Sequence, residues 1–161
     1  MIDALRVIAT GGTIDGLSPA KRSSRSFVQQ MIKQSRATIP ISVEIAFLKD
    51  SRDITDKDRE LLAEKCILCK EKRIVITHGT FTMSKTAAYL SKRVKGKTIV
   101  LTGSSIPFKA KQSDALFNLG SAILAVQLLP KGVWVVSNGL AFKAGAVKKN
   151  LRTGVFEKLK K

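Results

Sequence analysis

The sequence predicts an α/β domain: a three-layer, doubly wound fold around a mostly parallel sheet. Short apolar runs alternate with longer segments of helical spacing, in the order β-α-β-α-β-α-β-α-β. The runs are almost continuously apolar, as strands covered on both faces must be. Clusters of Gly, Thr and Ser follow the strands, and sheets of this kind bind ligands outside the carboxyl ends of their strands.

Leu5–Ala9 is short and apolar and runs into Thr10-Gly11-Gly12-Thr13, a strand entering a glycine turn. Ser18–Ser24, with Pro19, Lys21 and Arg22, reads as a loop. Phe27, Met31 and Ile32 fall at helical spacing, and Ile41–Phe47 alternates as a strand does. Thr55 can cap the next helix, with Asp58 positioned to answer it and acids crowding the first turn. That helix is expected over Thr55–Lys72, with Leu61, Leu62, Cys66 and Cys69 as its apolar stripe. Arg73–Thr77 is a β-branched run closing in His78-Gly79-Thr80. Met83–Val94 is helical, with Ala87, Leu90 and Val94 inward. Thr98–Leu101 is a buried strand ending in Thr102-Gly103-Ser104. Asp114–Leu129 is the most apolar helix, stopped by Pro130, and Gly132–Val136 is the fifth strand.

The 161 residues suffice for one domain with a real core and not for two comfortable ones, so a single domain over 1–161 is expected. Lysine and arginine number 29 against 12 acids, a formal net charge of +17. The excess is uneven: 13 basic and 10 acidic residues precede Arg73, against 16 and 2 from there onward. Such a surface attracts polyanions. The basic residues are nonetheless scattered, with no arginine-rich arm and few aromatics among them, so the charge is read as a surface property ahead of a nucleic-acid function. No stretch approaches the roughly 18 to 20 apolar residues of a membrane span. Met1–Arg6 does not begin a basic and then apolar leader, and a cytoplasmic protein is expected. Cys66 and Cys69 share C-x-x-C spacing, but with His78 the only histidine they fall short of the about four ligands zinc needs. They are read as helix thiols, and neither a metal nor an organic cofactor is expected.

Four clusters each follow a strand: Thr10-Gly11-Gly12-Thr13, Asp50-Ser51, Thr77-His78-Gly79-Thr80 and Thr102-Gly103-Ser104. In a parallel sheet all of them meet along one edge. Glycines there let backbone N–H groups approach a ligand. Hydroxyls can attack a carbonyl carbon while N–H groups stabilise the oxyanion, which is what acyl transfer requires. Singly, each cluster is an ordinary tight turn; together they read as a site.

Ala9-Thr10-Gly11-Gly12-Thr13-Ile14-Asp15 and Ile76-Thr77-His78-Gly79-Thr80-x-Thr82-Met83 resemble the two signatures of the bacterial-type L-asparaginases. Asp50-Ser51-Arg52-Asp53 is similar to that family's substrate-binding loop, and Val100–Ser104, Ser113–Leu119 and Gly132–Gly139 match later family segments in order. The resemblance runs from about Arg6 to Phe156, without the family's smaller C-terminal domain, as in a short, single-domain branch.

The resemblance implies an asparaginase N-terminal-domain-like fold and hydrolysis of the side-chain amide of L-asparagine to aspartate and ammonia. It implies Thr13 as nucleophile and Thr80 as a second essential threonine, its hydroxyl tied to Lys149, with Lys148 a neighbouring alternative. A lysine serves as a base only when desolvation or nearby positive charge lowers its pKa. Ser51 would contact the substrate's α-carboxylate and Arg52 an anionic group. Backbone N–H groups near Gly12, Thr80 and Ser104 would bind an oxyanion or carboxylate, and Gly79 would line the substrate site. Family members self-associate, so a homo-oligomer is expected.

Two departures stand out. Phe81 occupies the place of a family aspartate that holds the substrate's α-ammonium and orients the lysine; a phenyl ring does neither, and its bulk is expected inside the pocket. Gly16–Phe27 also lacks the tyrosine that usually activates the nucleophile, Tyr89 on a helix being the only one. By analogy with the serine proteases, losing an orienting acid costs on the order of 10⁴ in turnover. Three readings follow. The chain hydrolyses asparagine weakly, or acts on an amide whose recognition needs no carboxylate at position 81. Alternatively it is a degenerate relative that binds a small anion or a partner, or a basic nucleic-acid-binding protein. His78 is read as a structural hydrogen-bonding residue, and Asp114, Asn118 and Asn138 as organisers of turns or helix starts.

Overall fold

The computed structural model describes residues 3–160. Its strands are β1 (Leu5–Gly11), β2 (Ile41–Lys49), β3 (Arg73–Thr77), β4 (Thr98–Thr102), β5 (Gly132–Ser137), β6 (Leu140–Lys143), β7 (Val147–Lys149) and β8 (Phe156–Lys158). The helices are α1 (Val28–Ser35), α2 (Asp56–Leu68), α3 (Met83–Arg93) and α4 (Ala115–Leu128). Six strands form one sheet in the order β2-β1-β3-β4-β5-β6. The ladders from β2 to β5 are all parallel, and β6 returns antiparallel to β5. Strand order reverses between β1 and β3, so a crevice opens beyond their carboxyl ends.

Alternation along each strand divides the core. Ile74, Ile76, Ile99 and Leu101 face α2 and α3, while Val75 and Val100 face α1 and α4. Both sheet faces are covered, which is why these runs are apolar throughout. Thr55 and Asp58 form a reciprocal cap on α2: the Asp58 N–H donates to Thr55 Oγ1, and the Thr55 N–H donates to Asp58 Oδ2 at 2.8 Å. The helix stops at Leu68 rather than Lys72. Beyond it the buried Glu71 turns in to take two hydrogen bonds from Arg6, at 2.9 and 3.2 Å, instead of continuing the helix.

Three strands, β6 to β8, lie beyond the five expected. Asn138 and Gly139, with φ of 52° and 79°, form a two-residue hairpin that folds β6 back on β5. The β7–β8 ribbon stands apart from the main sheet and is anchored by buried Val147 and Phe156 on the α2–α3 side. No helix among the described residues is long and apolar enough to cross a membrane.

Candidate active site

The loops after β1 to β4 touch one another with no room for side chains. A Cβ on Gly12, where φ is 85°, would lie 2.3 Å from the Gly79 Cα. One on Gly79 would lie 2.7 Å from the Ser51 Cβ, and one on Gly103 would lie 2.2 Å from the His78 carbonyl oxygen. The glycines therefore stack four loops and bring their neighbours Thr13, Ser51 and Thr80 to one edge of the sheet.

Thr13 opens a short turn, Thr13–Asp15, directly after Gly12. It is half-buried. Asp15 behind it is buried: one carboxylate oxygen accepts the Phe27 N–H at 2.6 Å and the Ser26 hydroxyl at 3.1 Å, so it ties the loop to the start of α1. Burial raises its pKa. Thr10 fastens the next strand by donating its hydroxyl to the Thr77 carbonyl at 2.8 Å.

The Lys149 ammonium lies 2.7 Å from Thr80 Oγ1. Burial first, and the Arg52 charge second, lower the pKa of this lysine from 10.5. Lys148, one residue earlier on β7, turns away and pairs with Glu157 at 3.3 Å. Arg52 is held by Asp50 through two side-chain hydrogen bonds, at 2.8 and 3.1 Å. Ser51 is buried and its carbonyl accepts the Thr82 hydroxyl at 2.6 Å.

Phe81 does not fill the interior. Its side chain is 47% exposed, and the ring has Arg52 at 5.1 Å and Lys149 at 5.7 Å from its centroid. The rim suits it because two neighbouring cations gain from a π face while the ring stays clear of the packed loops.

One expected oxyanion donor is committed elsewhere, and one expected residue keeps only its backbone free. The Gly12 N–H donates to the Lys49 carbonyl at 2.9 Å and cannot bind an oxyanion. Ser104 donates its hydroxyl to the Ile106 carbonyl at 2.7 Å, which leaves its backbone as its available polar group. Gly79 acts through close approach, as described above. His78 is fully buried and pairs with the Gly79 carbonyl at 2.7 Å; burial pushes its pKa down to about 4, so it is neutral. Asn118 donates to the Gly103 carbonyl and accepts from the Asn138 N–H, both at 2.9 Å, and Asp114 accepts the Ile106 N–H. All three organise loops. Cys66 is buried, its thiol pushed up to about 12, and no metal-binding cluster of His, Cys, Asp and Glu occurs among the described residues. A cleft of about 270 Å³ adjoins the edge through Asp50 and Asp53, with Lys21, Arg22 and Lys49 also on its walls. Thr13, Thr80 and Lys149 lie outside it.

The asparaginase N-terminal family model matches residues 4–157. The glutaminase-asparaginase of Acinetobacter glutaminasificans is 35% identical over 169 residues, covering 93% of this chain and 51% of that protein. The L-asparaginase 2 of Escherichia coli K12 is 31% identical over 165 residues, covering 94% and 47%. Among solved structures, L-asparaginase I of Vibrio cholerae superposes with a TM-score of 0.86 at 25% identity, covering 98% of this chain and 52% of that one. The chain thus spans about half the length of the relatives it matches.

Proposed function

The chain belongs to the asparaginase family, and on that footing we propose that it carries an amide-hydrolysing site for L-asparagine or a close analogue. The observation that carries this reading is the 2.7 Å contact between Lys149 Nζ and Thr80 Oγ1, with a lysine made less basic by burial and by Arg52. A neutral amine so placed can accept a proton through the Thr80 hydroxyl.

In the proposed reaction the Thr13 oxygen attacks the amide carbon, and its proton passes by way of Thr80 and Lys149 to the leaving nitrogen. The C–N bond breaks, ammonia leaves, and an ester to Thr13 remains. Water, activated by the same pair, cleaves the ester to a carboxylate and restores the hydroxyl. The backbone N–H groups of Thr80 and Ser104 have no protein acceptor among the described residues, which suits them to the oxyanion. Ser51 and Arg52 would take the substrate carboxylate.

Ammonia release from asparagine tests this. Thr13→Ala and Lys149→Met should each lower the rate by about 10³ or more; a rate that survives both ends the reading. The two cations around Phe81 favour a second reading, in which the site binds a small carboxylate without turning it over. No ammonia release together with carboxylate binding would establish that alternative. Self-association is supported by α4, which has no charged residue and exposes Phe117, Leu124 and Leu128. Sedimentation showing only monomers at micromolar concentration would remove that part.

A further inference from the structure

Resting on the amide-hydrolysis reading of this edge, we propose that its preferred substrates are ω-amides of dicarboxylic acids lacking an ammonium beside the carboxylate, the class of succinamate, and that Phe81 sets this preference.

The charges around the reactive pair support this. Arg52 and Lys149 both approach the Phe81 ring, at 5.1 and 5.7 Å, and Lys149 also touches Thr80. The acids on the neighbouring turn are Asp50 and Asp53. Asp50 has both carboxylate oxygens engaged by Arg52, and the charge of Asp53 also acts on Arg52. Among the described residues no carboxylate pairs with Thr80, Phe81 or Lys149. With Lys149 neutral, as the reaction needs it, an ammonium entering here would still meet the Arg52 cation, a π face that Arg52 and Lys149 already use, and no carboxylate to pair with. Like charges at such spacing, partly shielded from water, repel.

A carboxylate meets the opposite situation. Arg52 spends its Nε and one Nη2 hydrogen on Asp50, which leaves guanidinium N–H groups free, and its side chain is 48% exposed. A ligand can therefore lay its carboxylate toward Arg52 and its amide toward Thr13 and Thr80. A substrate that differs from asparagine only in having hydrogen for the α-ammonium keeps both attractions and loses the repulsion. Its hydrolysis balances simply: one water is consumed, the C–N bond breaks, and succinate and ammonia form with no redox change.

The test compares succinamate with L-asparagine by ammonia release, and succinate with L-aspartate by calorimetric binding, for the wild-type chain and for Phe81→Asp. The wild type should favour succinamate in kcat/KM, and succinate in binding, by at least about tenfold. Phe81→Asp should reverse both, since a carboxylate at the rim pairs with an ammonium and repels nothing on the asparagine side chain. Phe81 is half exposed, so the variant should fold, and circular dichroism checks this. Ammonia release with asparagine preferred, or with both substrates changed equally by Phe81→Asp, overturns the proposal and leaves amide hydrolysis standing. Tighter succinate binding without ammonia release from either substrate keeps the ligand preference and removes hydrolysis. Binding of neither acid overturns the preference.

Discussion

At the scale of single residues, the decisive group is Lys149. In the proposed chemistry its neutral form is the base, so activity should rise with pH along a limb set by its pKa. Burial and Arg52 bring that pKa below 10.5, and the limb should lie below 10.5 accordingly. Arg52→Gln removes one of the two causes, so the limb of kcat/KM should move to higher pH; a limb that does not move shows that the rate is not reporting Lys149. Gly12 offers a test of the loop stack. Its φ of 85° and the 2.3 Å approach to Gly79 mean that Gly12→Ala should cost more than about 1 kcal/mol in denaturant unfolding. Thr13 and Thr80 are legible from sequence because their positions just past strand ends are local facts. The choice between Lys148 and Lys149 was not legible. Adjacent residues of a strand point to opposite sides, and only the register of β7 against β8 decides which lysine faces Thr80.

At the scale of elements, the N-terminal turn of α2 is held by identifiable contacts. Thr55→Ala removes one half of its cap and should destabilise the fold by about 1 kcal/mol in chemical denaturation, with the m-value unchanged. Arg59, on the same helix, is only 2% exposed and donates its Nε to the Thr86 hydroxyl at 3.1 Å. Thr86→Val leaves that buried donor unpaired and should cost about 1 to 3 kcal/mol. The five parallel strands were readable because each is an apolar or alternating run long enough to show its character. Strands β7 and β8 have three residues each, too few for a period. The hairpin to β6 did carry a signal, Asn138-Gly139 after an apolar run, and that dipeptide is the strongest short-range hairpin cue. The early stop of α2 left no local trace, since it depends on Glu71 finding Arg6, 65 positions away.

At the scale of the whole molecule, the net charge of +17 acts against compactness. Raising salt from about 0.01 to 0.15 M shortens the screening length from roughly 30 to 8 Å. The melting temperature should therefore rise over that range. A flat response would mean that the cations are already offset by their own neighbours, as Arg6 is by Glu44 and Glu71. Binding of nucleic acid through this charge alone would fade steeply over the same salt range.

Sequence alone determined the layering of the fold, the direction of its strands and the edge where the hydroxyls gather. These follow from which residues are apolar, at what spacing, and what comes next along the chain. Tertiary structure decided which lysine meets Thr80, that the Gly12 N–H is already taken by Lys49, and that Phe81 stands at the rim between two cations. Each of these depends on contacts between loops far apart in sequence, whose distances no local pattern encodes.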